Sequence, residues 1–225
     1  MLCFLGNSHA AHHLREAAKK RGLHVITEME KAHVVFISED TPTDETGQRD
    51  LTPIRALIDK AKTSGAQLVL TSQVPPGFTR SLGIENIFHQ AETLRIKDAE
   101  TRALRPEYIA VGGDAQIGTH YSNYLSAFHC PILRMSWEEA EFSKIAVNMF
   151  LAAQVDATNR LHDAAQKVGV DWWVIAGILG NDKRIGLHAY LTPGKWQDSR
   201  HLLRDAVTLE EIEKDALPGL PEANR

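Results

Sequence analysis

LCFLGNSHAAHHLREAAKKRG, residues 2–22, is the stretch that decides the fold. Leu2, Cys3, Phe4 and Leu5 form an apolar run that reads as a buried strand, and Gly6 breaks it. Asn7 and Ser8 then suit a helix start, because short polar side chains accept from the first unpaired backbone N–H groups. Between His9 and Arg21, Ala10, His13, Leu14, Ala17 and Ala18 share one stripe, and Gly22 closes the helix. A strand, a glycine turn and an amphipathic helix in that order open an α/β unit.

The same alternation continues downstream. Residues 24–27 and 33–38 (HVVFIS) read as strands, and 52–64 as a helix with Ile54, Leu57, Ile58 and Ala61 at helical spacing. QLVLT at 67–71 and YIAV at 108–111 are further apolar strands. Apolar runs alternating with helices predict a mostly parallel sheet covered on both faces. The chain then changes character. Ser136 followed by Glu139 is a capping box, and from Trp137 to Val168 there is neither Gly nor Pro. Ile145, Met149, Ala152 and Val155 recur along this stretch. At about 1.5 Å per residue such a helix spans roughly 45 Å. That is too long to bury in one small domain, so it should carry an interface with another chain or join two lobes. A second helix follows Asp171, and the segment from Pro218 reads as a flexible tail.

A net charge of −4 with scattered Lys and Arg argues against a nucleic-acid surface. The densest basic cluster, Lys19-Lys20-Arg21, sits where cations suit a helix C-terminus. Two cysteines, Cys3 and Cys130, make no disulfide framework and fit a reducing compartment. The N-terminal residues have no charged leader and no apolar run reaches a membrane span, so a cytoplasmic protein is expected. His9, His12 and His13 cluster on the first helix without a carboxylate or thiol at ligand spacing, so a solvated helix face and no metal are expected.

Six stretches in order resemble the UDP-glucose/GDP-mannose dehydrogenase family. Residues 32–51 (AHVVFISEDTPTDETGQRDL) look like its strand and Thr-Pro loop, and TSQVPPGFTR at 71–80 is similar to its Ser-Thr-Val-Pro loop. AETLR at 91–95 resembles its Pro-Glu-Phe-Leu-Arg-Glu segment, and residues 138–152 the start of its central helix. GNDKRIG at 180–186 and LTPG at 191–194 look like the approach to its catalytic loop. The likeness implies a shortened Rossmann-like α/β domain over 1–135, an all-helical dimerisation region over 136–217, and a homodimer made through the 137–168 helix. It also implies two NAD-dependent hydride transfers that oxidise a nucleotide sugar through a cysteine thioester.

Residue by residue, the resemblance erodes. The cofactor turn Gly-x-Gly-x-x-Gly reads Gly6-Asn7-Ser8-His9-Ala10-Ala11, with only the first glycine kept. Gly6, Asn7, Ser8, Ser72 and Gln73 are the implied NAD contacts, Gln73 standing where the family has threonine. The path from the first helix to HVVFIS is short by a strand–helix unit. HVITE stands for either the second or the third strand, and the first choice makes Glu28 or Glu30 the ribose-holding acid. The family's cysteine falls on His201 and its lysine on Arg204, while Asp205 is kept. Trp196, Asp198 and Ser199 replace three glycines, so the tight loop backbone is not expected to survive. An imidazole cannot form a thioester, although it can act as a base.

Lys144 and Asn148 match the helix pair that polarises the reacting oxygen, one turn apart on one face. Glu92, Arg95 and Arg184 match substrate-binding positions, but the glutamate after that first arginine has become Ile96. The family's following nucleotide-binding lobe is expected to be absent. Three readings stand: a family dehydrogenase; a non-catalytic homologue that binds a nucleotide or nucleotide sugar, or pairs with a complete enzyme through the long helix; and a rearranged enzyme with His201 as base.

Overall fold

In the computed structural model, which describes residues 1–214, β1 (Leu2–Leu5) has the two-residue β2 (Val25–Ile26) on one side. On its other side lies β3 (Val34–Ile37). The sheet continues through β4 (Gln67–Leu70), β5 (Ile87–Gln90), β6 (Ile109–Gly112) and β7 (Ile132–Met135), giving the order β2-β1-β3-β4-β5-β6-β7. All pairings are parallel except β5 with β6, where His89 faces Gly112. β2 pairs directly with β1 at the sheet edge, so HVITE takes the place of a second strand in the sheet order. β5 and β7 were not foreseen. Each is four residues long, and each breaks its apolar run with His89 and Gln90 or with Arg134.

Successive strand residues face opposite sides, and two cores result. On one face α1 (His9–Lys20) contributes Leu14, Ala17 and Ala18. They pack with Phe4, Phe36, Val69 and Phe88 of the strands. On the other, α2 (Thr52–Ala61) and the short α3 (Phe78–Ser81) bring Ile54, Ile58 and Phe78 against Cys3, Val35, Ile37 and Leu70. The first core is completed by α4 (Ala99–Leu104) and α5 (Thr119–Ser126), whose Tyr121 and Tyr124 are fully buried around Phe36. At about 1.5–3 kcal/mol per buried large apolar side chain, these two layers dominate the stability of the sheet.

The long helix α6 runs Trp137–Lys167 and begins at the expected box: Ser136 N–H donates to Glu139 Oε2 at 2.7 Å, and Glu139 N–H returns a bond to Ser136 Oγ at 3.2 Å. The chain divides into two compact units whose boundary falls inside this helix, between Lys144 and Ile145. Within its described residues the second unit holds 43–48 and 145–214. It contains α7 (Trp172–Asn181), capped by Asp171 as expected, and α8 (Arg200–Glu213). Its irregular segment is strapped to α6: Thr158 Oγ1 donates to Tyr190 O at 2.7 Å, and the Asn159 amide exchanges two bonds with Gly194. Residues 196–198 form a 3-10 turn in place of the glycine-rich loop. Among the described residues no helix is long and apolar enough to cross a membrane. The expected tail from Pro218 lies outside the described residues.

Candidate functional site

Strand order reverses beside β1, and the C-terminal ends of β1 and β3 bound the crevice in which open α/β sheets bind ligands. Gly6 turns out of β1 at φ +103°, and a Cβ there would lie 2.0 Å from Ser38 O. The glycine is therefore required for the two loops to touch. Ser8 caps α1, accepting Ala11 N–H at 3.0 Å, and its hydroxyl donates to Ser38 O at 2.9 Å. Asn7 N–H donates to Glu39 Oε2 at 3.1 Å, and Asp40 N–H donates to Glu39 Oε1 at 3.1 Å. Buried Ser72, at the end of β4, accepts Glu39 N–H at 2.8 Å. The neighbouring Gln73 offers its carbonyl to Arg49 at 3.4 Å. Gly6, Asn7, Ser8 and Ser72 are thus brought together around Ser38 and Glu39. Neither of those two had been singled out. The legible signal was an acidic pair, Glu39-Asp40, directly after a buried strand facing the glycine turn.

These residues do not fit a dinucleotide pyrophosphate. Such a group needs open backbone donors and a positive field at the helix start. Here a carboxylate already sits on Asn7 N–H, a second one follows at Asp40, and the Ser38 carbonyl fills the space against Gly6. Glu28 and Glu30, the two acids that the resemblance implied for the ribose, are both exposed just beyond β2, and Glu28 is bonded to Thr27 and Lys31.

The loop after β4 is held from α6. The Glu141 carboxylate, 1 % exposed, accepts Gly77 N–H and Thr79 N–H, both at 2.7 Å. Burial pushes its carboxyl up to about 7 against the pull of those donors. Glu141 was also missed, although it lies three residues before Lys144 on the matched helix. Glu92 accepts Leu94 N–H, and Arg95 pairs with Asp98, so both are anchored in their own loop.

In the second unit, Asn148 Nδ2 donates to Asp205 Oδ2 at 2.7 Å, joining two predicted residues. Asp205 is fully buried, and buried Arg204 places Nε 3.3 Å from its other oxygen. Lys144 is half-buried one helical turn before Asn148. His201 is exposed in the first turn of α8. Arg184 is exposed and paired with Asp182 at 2.7 Å. The two thiols lie elsewhere: Cys3 inside β1 and Cys130 just before β7. Burial raises both thiols above their ordinary range, which disfavours the nucleophilic thiolate. Among the described residues, no group of three or more potential ligands could hold a metal ion.

Residues 138–216 match the model of the UDP-glucose/GDP-mannose dehydrogenase family, central domain. The chain is 32 % identical over 181 residues to a UDP-glucose 6-dehydrogenase of Pseudomonas aeruginosa, covering 70 % of this chain and 39 % of that protein. It is 29 % identical over 203 residues to one of Bacillus subtilis, covering 81 % and 43 %. It therefore spans about two-fifths of the length of these relatives. The fold matches a UDP-glucose dehydrogenase structure from Pyrobaculum islandicum with TM-score 0.70 at 22 % identity, over 94 % of this chain and 67 % of the other. A Pyrococcus horikoshii UDP-D-ManNAc dehydrogenase matches with TM-score 0.74 at 15 % identity, over 90 % and 63 %.

Proposed function

On the premise that this chain belongs to the UDP-glucose/GDP-mannose dehydrogenase family, we propose that it is a non-catalytic member that keeps the scaffold and has lost the two-step oxidation. The observation that carries this reading is chemical. The resemblance puts His201 at the position of the family's nucleophile, and the two thiols of the chain are a buried strand residue, Cys3, and Cys130 before β7. A thioester needs a thiolate, and both thiols are shifted away from that state.

The Asn148–Asp205 bond supports a scaffold held in register rather than a surviving reaction centre, because it ties α6 to the start of α8 with no thiol beside it in sequence. Binding of a nucleotide or nucleotide sugar is the retained activity proposed here, with Glu92 and Arg95 of the first unit as its contacts. The second unit also exposes Phe150 at 71 %, Trp173 at 63 %, Val174 at 61 %, Ile178 at 63 % and Leu187 at 79 %. So many large apolar side chains, on α6, on α7 and just after α7, support a homodimer formed through this face.

The test is an assay of nicotinamide reduction with UDP-glucose and with GDP-mannose, run beside thermal-shift titrations of the same sugars. The reading predicts no turnover above buffer and a saturable shift with at least one nucleotide sugar. Sustained reduction of NAD by either sugar would end it.

A further inference from the structure

The crevice at the strand-order reversal carries one feature that the loss of a nucleophile does not account for. The loop after β3 places a carboxylate on the first backbone donor after Gly6. Both oxygens of that carboxylate are engaged, Oε2 by Asn7 N–H and Oε1 by Asp40 N–H, each at 3.1 Å. The Glu39 backbone is fixed in turn by the buried Ser72 hydroxyl at 2.8 Å, and the preceding Ser38 is clasped by Ser8 at 2.9 and 3.0 Å. Glu39 is held at both its backbone and its side chain, and the surrounding bonds come from the positions that the sequence assigns to the cofactor. We propose that Glu39 is an internal substitute for the dinucleotide's phosphate, so that this chain caps its own cofactor crevice and excludes NAD.

The physical argument rests on sign and space. A helix start and the donors around it favour one negative group. Once Glu39 supplies that group, an incoming pyrophosphate must displace it from a crevice edged by Asp40 as well. The gap is closed, with room for nothing larger than hydrogen at the Gly6 Cα, and widening it would break the two hydrogen bonds by which Ser8 holds Ser38. This inference is separate from the proposed loss of oxidation. A chain with no thiolate could still bind NAD, and a chain with a thiolate could still be capped.

Calorimetric titration of NAD into the intact protein and three variants tests it. The wild type is expected to show no saturable binding up to about 1 mM. Glu39→Gly, which removes the occupant, should gain at least about tenfold in affinity, equivalent to roughly 1.4 kcal/mol. Glu39→Gln keeps an acceptor on Asn7 N–H without the charge and should fall between the two. Asp40→Asn removes a neighbouring charge without touching that contact and should gain less than Glu39→Gly. Unfolding curves establish that each variant is folded, and Glu39→Gln carries the comparison if the glycine variant is not. Micromolar binding by the wild type would overturn the proposal. So would a Glu39→Gly or Glu39→Gln protein that is folded and binds no better than the wild type, or an Asp40→Asn gain equal to that of Glu39→Gly.

Discussion

At the residue scale, the groups that could be read from sequence are those whose partners lie within one helical turn. Ser8 caps Ala11 and Ser136 exchanges bonds with Glu139, in both cases three positions away. The contacts of Glu39 with Asn7 and of Glu141 with Gly77 and Thr79 escaped notice because they span 32 and more than 60 residues; an acidic pair after a strand marks Glu39 only as acidic and does not say which distant backbone N–H it meets. Glu141→Gln replaces one of two acceptors by an amide NH2 that must face a donor. We expect a loss of about 1–3 kcal/mol in urea unfolding. The pH dependence has a definite sign. A carboxyl held at about 7 in the fold against 4.5 outside it binds its proton better when folded. Its contribution therefore favours folding at acid pH and declines as pH rises from 4.5 through 7. Unfolding midpoints measured across that window should show this decline in the wild type, and it should be absent in Glu141→Gln. Asn148→Ala removes one charged hydrogen bond from buried Asp205 and should cost about 1.5–3 kcal/mol by the same measurement.

Elements were legible in proportion to their length and periodicity. The long helix announced itself through its box and its lack of Gly and Pro, and α1 through its cap and its apolar stripe. β5 and β7 did not, because their stability comes from pairing with β4 and β6, a tertiary fact absent from four-residue windows. The identity of β2 was open for the same reason, since only its pairing with β1 decides between second and third strand. Two substitutions probe how the elements are joined. Ser136→Ala removes half of the α6 box and should cost about 1 kcal/mol, read as a lower unfolding midpoint with unchanged helix content. Gly6→Ala puts a methyl group 2.0 Å from the Ser38 carbonyl at a backbone angle that L-residues avoid. It should destabilise the sheet unit by more than about 2 kcal/mol, and a variant as stable as the wild type would show that the two loops do not meet as described.

For the whole molecule, the proposal is that a family scaffold is kept while the chemical parts of its site are exchanged. The mostly parallel sheet and the long helix followed from patterning alone. The assignment of individual roles required the resemblance, since nothing in the spacing of Asn148 and Asp205, 57 residues apart, predicts their contact. The apolar side chains exposed on α6 and α7 predict a dimer by light scattering at micromolar concentration, and Trp173→Glu with Ile178→Glu should shift it to monomer. The central claim is that no thiolate of this protein reacts at a sugar. The most direct measurement is exposure of the native protein to an electrophilic nucleotide-sugar analogue, followed by peptide mapping by mass spectrometry. The account predicts Cys3 and Cys130 unmodified while a free thiol in the same tube is consumed; a one-to-one adduct on either cysteine would contradict it.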